Sequence, residues 1–229
     1  MVDLSVRNVF TFEVLGFEVW ITRTIVNTWI VMAALIALAV MARAVIGKPR
    51  AVPTGMQNAV EAAVSAVDKL VGGAAGERLS WLGNWFFAVF AIIGASIVGG
   101  IVGIRPPTAD WATTFALAFG TFALIQAMGV RHRGMRYLKS FIEPNPVLLP
   151  LNLIGELARP VSLSFRLYGN VLSGLIIMTL IYELAPIYAR IGVPAVLHVY
   201  FDLFTASLHA YIFCILSASF IGVAATEPA

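Results

Sequence analysis

Residues Val147–Leu184 read VLLPLNLIGELARPVSLSFRLYGNVLSGLIIMTLIYEL. Nearly every position is apolar or small, so the run is a helix bound for a membrane. It is also too long. At about 1.5 Å per residue it would exceed 45 Å, against a hydrocarbon core of about 30 Å. A second long run, Val193–Val223, follows after the loop Ala185–Gly192, which carries Pro186 and Gly192. The two together predict a long hairpin whose arms are strongly tilted, bent or partly interfacial. Pro150 and Pro160 are places where the first arm can bend. Near the middle of that arm stands Arg166, a side chain that keeps its charge in any protein environment.

Working outward, the rest of the chain reads the same way. Of its 229 residues, 60% are hydrophobic and 12% charged, against about 25% charged in soluble domains. The fold class is an all-α membrane protein in a single membrane domain. Spans are predicted at 21–42, 81–104, 111–130, 147–184 and 193–223. Between the first two, 53–71 has Val60, Val64, Val67 and Val71 on one face and Gln57, Glu61, Ser65 and Asp68 on the other. That pattern predicts an amphipathic helix on the inner membrane surface; the competing reading is a helix packed on a soluble partner. Arg43, Lys48 and Arg50 follow the first span, and Arg131, Arg133, Arg136 and Lys139 follow the third. Both clusters place those ends in the cytoplasm, so the N-terminus is outside and the C-terminus inside.

The net charge of +3 is carried at span ends and is no nucleic-acid signature. The single Cys214 excludes an intramolecular disulfide and builds no metal site alone. The first residues carry neither a signal-peptide nor a transit pattern. No G-x-x-x-x-G-K-[ST] stretch is present, so nucleotide chemistry is not expected here. Neither a cofactor nor a metal is implied.

The chemistry concentrates in the last two helices. Glu156, Arg159, Arg166, Asn170, Asp202 and His209 stand at or near membrane depth, where a charge costs about 2.5–3.5 kcal/mol on insertion scales. At about 100° per residue, Arg159, Arg166 and Asn170 share a face. His198, Asp202, Thr205 and His209 fall within about 60° of one another on the last helix. They form a stripe about 16 Å long that begins near the outer surface. Its members take or pass protons directly or through water. Beyond His209 the same face holds Leu216 and Phe220, so the stripe stops inside the membrane. A polar path that enters from one side and ends midway is a half-channel, and a fixed cation beside it is a barrier to protons.

Each residue also has a plainer reading. An arginine can snorkel to an interface, which suits Arg159 better than Arg166. Asp202 and His209 can serve as interhelical hydrogen-bond partners, His198 as an interfacial residue, and Asp110 as a turn residue. Ser162 and Ser164 more often satisfy backbone carbonyls than relay protons.

The stretch Ile142–Gly174, with PVSLSFRLYGN inside it, resembles subunit a of the F-type ATP synthases. Arg105–Ala118 resembles that family's second outer turn, and HAYIFCILSASFIG (His209–Gly222) its C-terminal helix. The resemblance runs through most of the chain from Trp81 onward. It implies a stator subunit whose last two helices lie against a rotating ring of c subunits, with peripheral-stalk b subunits beside it in a cell (plasma) membrane of bacterial type. By the same resemblance Arg166 is the functional arginine separating two half-channels. Asn170, Asp202, His209, His198 and Thr205 belong to the proton pathway, Glu156 to its cytoplasmic side and Asp110 to its outer mouth. Two positions depart from the family pattern. Leu175 replaces an acidic or histidine residue nine positions after the arginine, and His209 stands where glutamine is common. The rival reading is a free-standing ion channel or secondary transporter, which often shows paired repeats; no repeat is visible.

Overall fold

The computed structural model describes residues 8–14, 17–48, 50–101, 104–143, 145–186 and 189–226. It is an all-α membrane protein with one small sheet. The helices are α1 (Arg23–Ile46), α2 (Met56–Ala75), α3 (Gly83–Ile101), α4 (Trp111–Arg133), α5 (Met135–Lys139), α6 (Leu149–Leu184), α7 (Ala189–His198) and α8 (Ala206–Ala225). Five helical stretches are long and apolar enough to cross a membrane: Arg23–Ile46, Glu77–Gly100, Trp111–Arg133, Pro146–Leu184 and Gly192–Ala225. The five predicted spans overlap these closely. Positions 102 and 103 of the predicted second span, and 187 and 188 of the predicted loop, lie outside the described residues.

Three features differ from expectation. First, strands β1 (Asn8–Val14) and β2 (Phe17–Thr22) form an antiparallel pair ahead of α1. Ile21, assigned by sequence to the first span, pairs with Phe10 in this ladder. Helix α1 then starts at Arg23, where the Thr22 hydroxyl accepts from the Ile25 N–H at 3.4 Å. Hydroxyl caps of this kind set helix starts.

Second, the C-terminal part of the α2 valine stripe packs on the protein's own core. Val71 is fully buried and joins Leu82, Phe86, Phe213 and Ile221 in the core, with Val67 packed against it. The end of α2 reaches α8 so closely that a Cβ on Gly222 would lie 2.8 Å from the Ala75 Cα. The moment of the helix was legible; what it packs on was not, because lipid and a protein core attract an apolar stripe alike.

Third, the last run is not one uniform helix. Between α7 and α8, Val199–Thr205 winds as a π-helix, a rare form that recurs at functional sites. In α6, Pro150 sits in the first turn and only Pro160 is interior. A first-turn proline gives up an N–H that has no helical partner anyway, so Pro150 bends nothing. At 36 residues, α6 spans about 54 Å, and the predicted over-long arm is present.

The core lies where α3, α4, α6 and α8 meet, with α2 closing one end. Phe86, Ile93, Ile125, Leu167, Phe213 and Ile221 are all essentially inaccessible there. Two polar residues at the same depth are satisfied within their own helices. The hydroxyls of Ser96 and Thr121 donate to the carbonyls of Ile92 and Leu117 at 2.8 and 3.1 Å.

Candidate functional site: two cavities separated by an arginine

Two cavities flank α6. The first, of about 170 Å³, lies beside the turn Pro107–Ala109, and Pro106, Thr108, Asn170, Tyr182, His198, Asp202, Thr205 and His209 are among its lining residues. Five of the sequence-selected residues therefore meet in one space. The π-helical segment carries Asp202 and Thr205 into it.

Contacts within this cavity are direct. The His198 Nδ1 meets an Asp202 carboxylate oxygen, four residues along the chain. On its other side, His198 Nε2 shares a hydrogen bond of 3.0 Å with the Tyr182 hydroxyl. His198 is thus held at both nitrogens, across two helices. The Asn170 amide donates to the Arg166 carbonyl at 2.7 Å. His209 Nδ1 and the Thr108 hydroxyl are buried without a hydrogen-bond partner among the described residues. Such groups favour water in a polar cavity with room for it.

The second cavity, of about 450 Å³, lies at the opposite, basic end, lined by Arg133, Tyr137, Glu143, Asn152, Glu156 and Arg159 among others. Both oxygens of Glu156 are engaged. Arg159 meets Oε1 at 2.8 Å, and the Gln126 amide donates to Oε2 at 3.3 Å. Tyr137 donates in turn to the Gln126 carbonyl oxygen at 3.0 Å. Arg159 also lies over the Phe220 ring at 5.1 Å, a favourable place for a cation. Tyr137 titrates above its ordinary 10.0, first because it is buried and next because Glu156 is near. It is therefore a neutral donor at physiological pH.

Arg166 lines neither cavity. Along α6 it falls between Arg159, of the basic-end cavity, and Asn170, of the other. Its side chain is exposed, and among the described residues its guanidinium has no ion-pair or hydrogen-bond partner. The turn that carries it is held from behind. Trp111 donates its indole N–H to the buried Ser164 hydroxyl at 3.1 Å, and Ser164 donates to the Val161 carbonyl at 3.1 Å. Trp111 also stacks on Phe165 with centroids 5.7 Å apart. Asp110 serves α4 as its N-cap, accepting from the Ala112 N–H at 3.0 Å, and lines neither cavity. Its plainer reading as a turn residue matches this geometry.

Tyr182, Gln126 and Tyr137 were not singled out from the sequence. Tyr182 had a weak signal: it and His198 are each eight residues from position 190, inside the predicted loop, although α7 begins at Ala189. Gln126 is a lone amide in an apolar span. Tyr137 had no signal of its own.

These features define a multi-pass membrane protein with two recesses toward opposite ends, each carrying polar side chains, and an arginine between them without an ion-pair partner among the described residues. Residues 25–222 match the family model described as ATP synthase A chain. A protein from Desulfosudis oleivorans named ATP synthase subunit a is 32% identical over 222 residues, covering 91% of each chain. Proteins named ATP synthase subunit a 2 are similar as well. That of a Bradyrhizobium species is 36% identical over 89% of each chain. That of Syntrophotalea carbinolica is 34% identical over 89% of this chain and 86% of its own. The chain belongs to the ATP synthase A chain family.

Proposed function

We propose that this chain is the proton-translocating stator subunit of a rotary ATP synthase, set in a bacterial plasma membrane with its N-terminus outside. The cavity lined by His198, Asp202, Thr205, His209 and Asn170 is the outer half-channel. The cavity lined by Glu156 is the inner one. The exposed face of α6 around Arg166 lies against the ring of c subunits, and peripheral-stalk b subunits complete the stator.

The observation that carries this reading is Arg166 itself. A permanent cation, exposed and unpaired among the described residues, stands on an apolar helix between two recesses that each carry titratable side chains. Left to lipid, that charge would be costly. Facing a rotor carboxylate, it attracts the ionised form and repels protons passing directly between the recesses. A free-standing channel would need the recesses joined within one chain, and nothing described here favours that.

The test is Arg166→Ala in the assembled complex. Proton-driven ATP synthesis should vanish while hydrolysis by the soluble sector continues. Arg166→Lys should also fail or be badly impaired, because lysine sheds its proton when desolvated and lacks the planar fork. Coupled synthesis by a fully assembled alanine variant would end the proposal.

A further inference from the structure

Two arginines stand on nearly the same face of α6, seven residues apart: Arg159 and Arg166. Their Cα atoms are separated by about 10 Å along the helix. Only the first has a carboxylate partner, Glu156 at 2.8 Å. The basic-end cavity is lined by four charged side chains, Arg133, Glu143, Glu156 and Arg159, so their formal charges cancel.

Resting on the stator reading above, we infer that Glu156 works as the counter-charge of Arg159 rather than as a proton carrier. It leaves Arg166 as the single uncompensated cation on the rotor-facing run of α6. The geometry suits a fixed anion. One oxygen is taken by the guanidinium, and the other accepts from Gln126, itself held by Tyr137. A carboxylate that shuttles protons must free an oxygen at each cycle; this one is clamped by Arg159 of its own helix and by Gln126 of α4. Without it, the cavity through which protons pass would carry a net positive charge of one, and a second barrier would stand beside the first.

The test uses membrane vesicles carrying the whole complex. Glu156→Gln keeps the shape and the contact to Gln126 but uncovers Arg159. Synthesis and ATP-driven pumping should fall about tenfold, the factor for a modest added electrostatic barrier. Arg159 is partly exposed, so salt on the basic side should relieve part of the defect by screening. Adding Arg159→Gln to Glu156→Gln should restore rates to within about twofold of the parent. A proton-carrying role predicts no such rescue; a purely structural ion pair predicts less assembled complex in the single variant, so rates are compared at matched assembly. A double variant as slow as Glu156→Gln, or a Glu156→Gln variant as fast as the parent, overturns the inference. Where Glu156→Gln fails to assemble, Arg159→Gln alone decides. It removes a positive charge and should not slow passage, so a tenfold loss there overturns the inference as well. Arg166→Ala, run in parallel, separates this from the broader proposal. If it abolishes coupling while the double variant shows no rescue, the stator reading stands and only the role of Glu156 falls.

Discussion

The residues of the first cavity work as pairs, and their substitutions should differ accordingly. Asp202 is the fixed partner of His198, and Tyr182 holds the far nitrogen of that histidine. Asp202→Asn keeps size and hydrogen bonding but loses the titratable carboxylate. It should lower proton-driven synthesis by about a hundredfold, the lower range for losing a proton-transfer group. His209→Gln keeps a donor and an acceptor and should remain partly active. Glutamine does not titrate near neutrality as histidine does, so its rate should depend less on outside pH. Vesicle synthesis rates across outside pH, at matched assembly, measure both. If neither substitution changes rate or pH profile, the stripe is packing only. Tyr137 supplies a different pH effect at the basic end. Its folded-state pKa is raised, so its favourable neutral form is fully present below the ordinary 10.0 and is lost as pH rises through the folded value. Thermal stability should therefore fall on the alkaline side of pH 10, and Tyr137→Phe should flatten that fall while lowering stability at pH 7 by about 1 kcal/mol for the lost hydrogen bond to Gln126. Unfolding curves in detergent from pH 8 to 11 decide it.

At the level of elements, the over-long hairpin and the five spans were legible because length and apolarity alone dictate them. The facing of the last helix was legible in outcome but not in form. Sequence arithmetic assumed a uniform turn, and the structure contains the π-helical Val199–Thr205, which no composition signals. The four stripe residues nevertheless meet. Tyr182 meets His198, and Asn170 shares a cavity with His209. The N-terminal strands were missed although VFTFEV alternates, because a run that short beside a strong helix signal reads ambiguously. Element packing also rests on close approach that only glycine allows. Gly222→Ala would bring its Cβ to 2.8 Å from the Ala75 Cα and 2.9 Å from its carbonyl oxygen. Backbone cannot rotate away as a side chain can, so α2 must shift off α8. The expected loss is about 1–3 kcal/mol, in the range of overpacked cores, seen as a lower unfolding temperature. An unchanged temperature would mean that the α2 foot contributes little to the bundle.

For the whole molecule, the decisive quantity is orientation, because it names the two cavities. Apolar surface is exposed along α1 and on α6, as at Trp29, Ile36, Leu38, Val40, Leu153 and Leu157. In water this would drive aggregation; in a bilayer it is the solvent-facing side. The bilayer does not by itself say which end is cytoplasmic. The proposed orientation rests on the basic residues: Arg131, Arg133, Arg136 and Lys139 cluster at the end of α4, the end of the Glu156 cavity, and such clusters favour the cytoplasmic side. On that proposal, a membrane of about 30 Å has the α6–α7 connection on the outer side with the His198–Asp202 cavity. A cysteine introduced at Arg131, exposed at the basic end, should react with an impermeant thiol reagent only from the cytoplasmic side. One introduced at Leu184, exposed at the end of α6, should react only from outside. The native Cys214 is buried and should give little background. Labelling of intact cells and of inverted vesicles reads both positions in one experiment. The reverse pattern would exchange the two cavities, making the His198–Asp202 recess the exit for synthesis and Glu156 part of the entry.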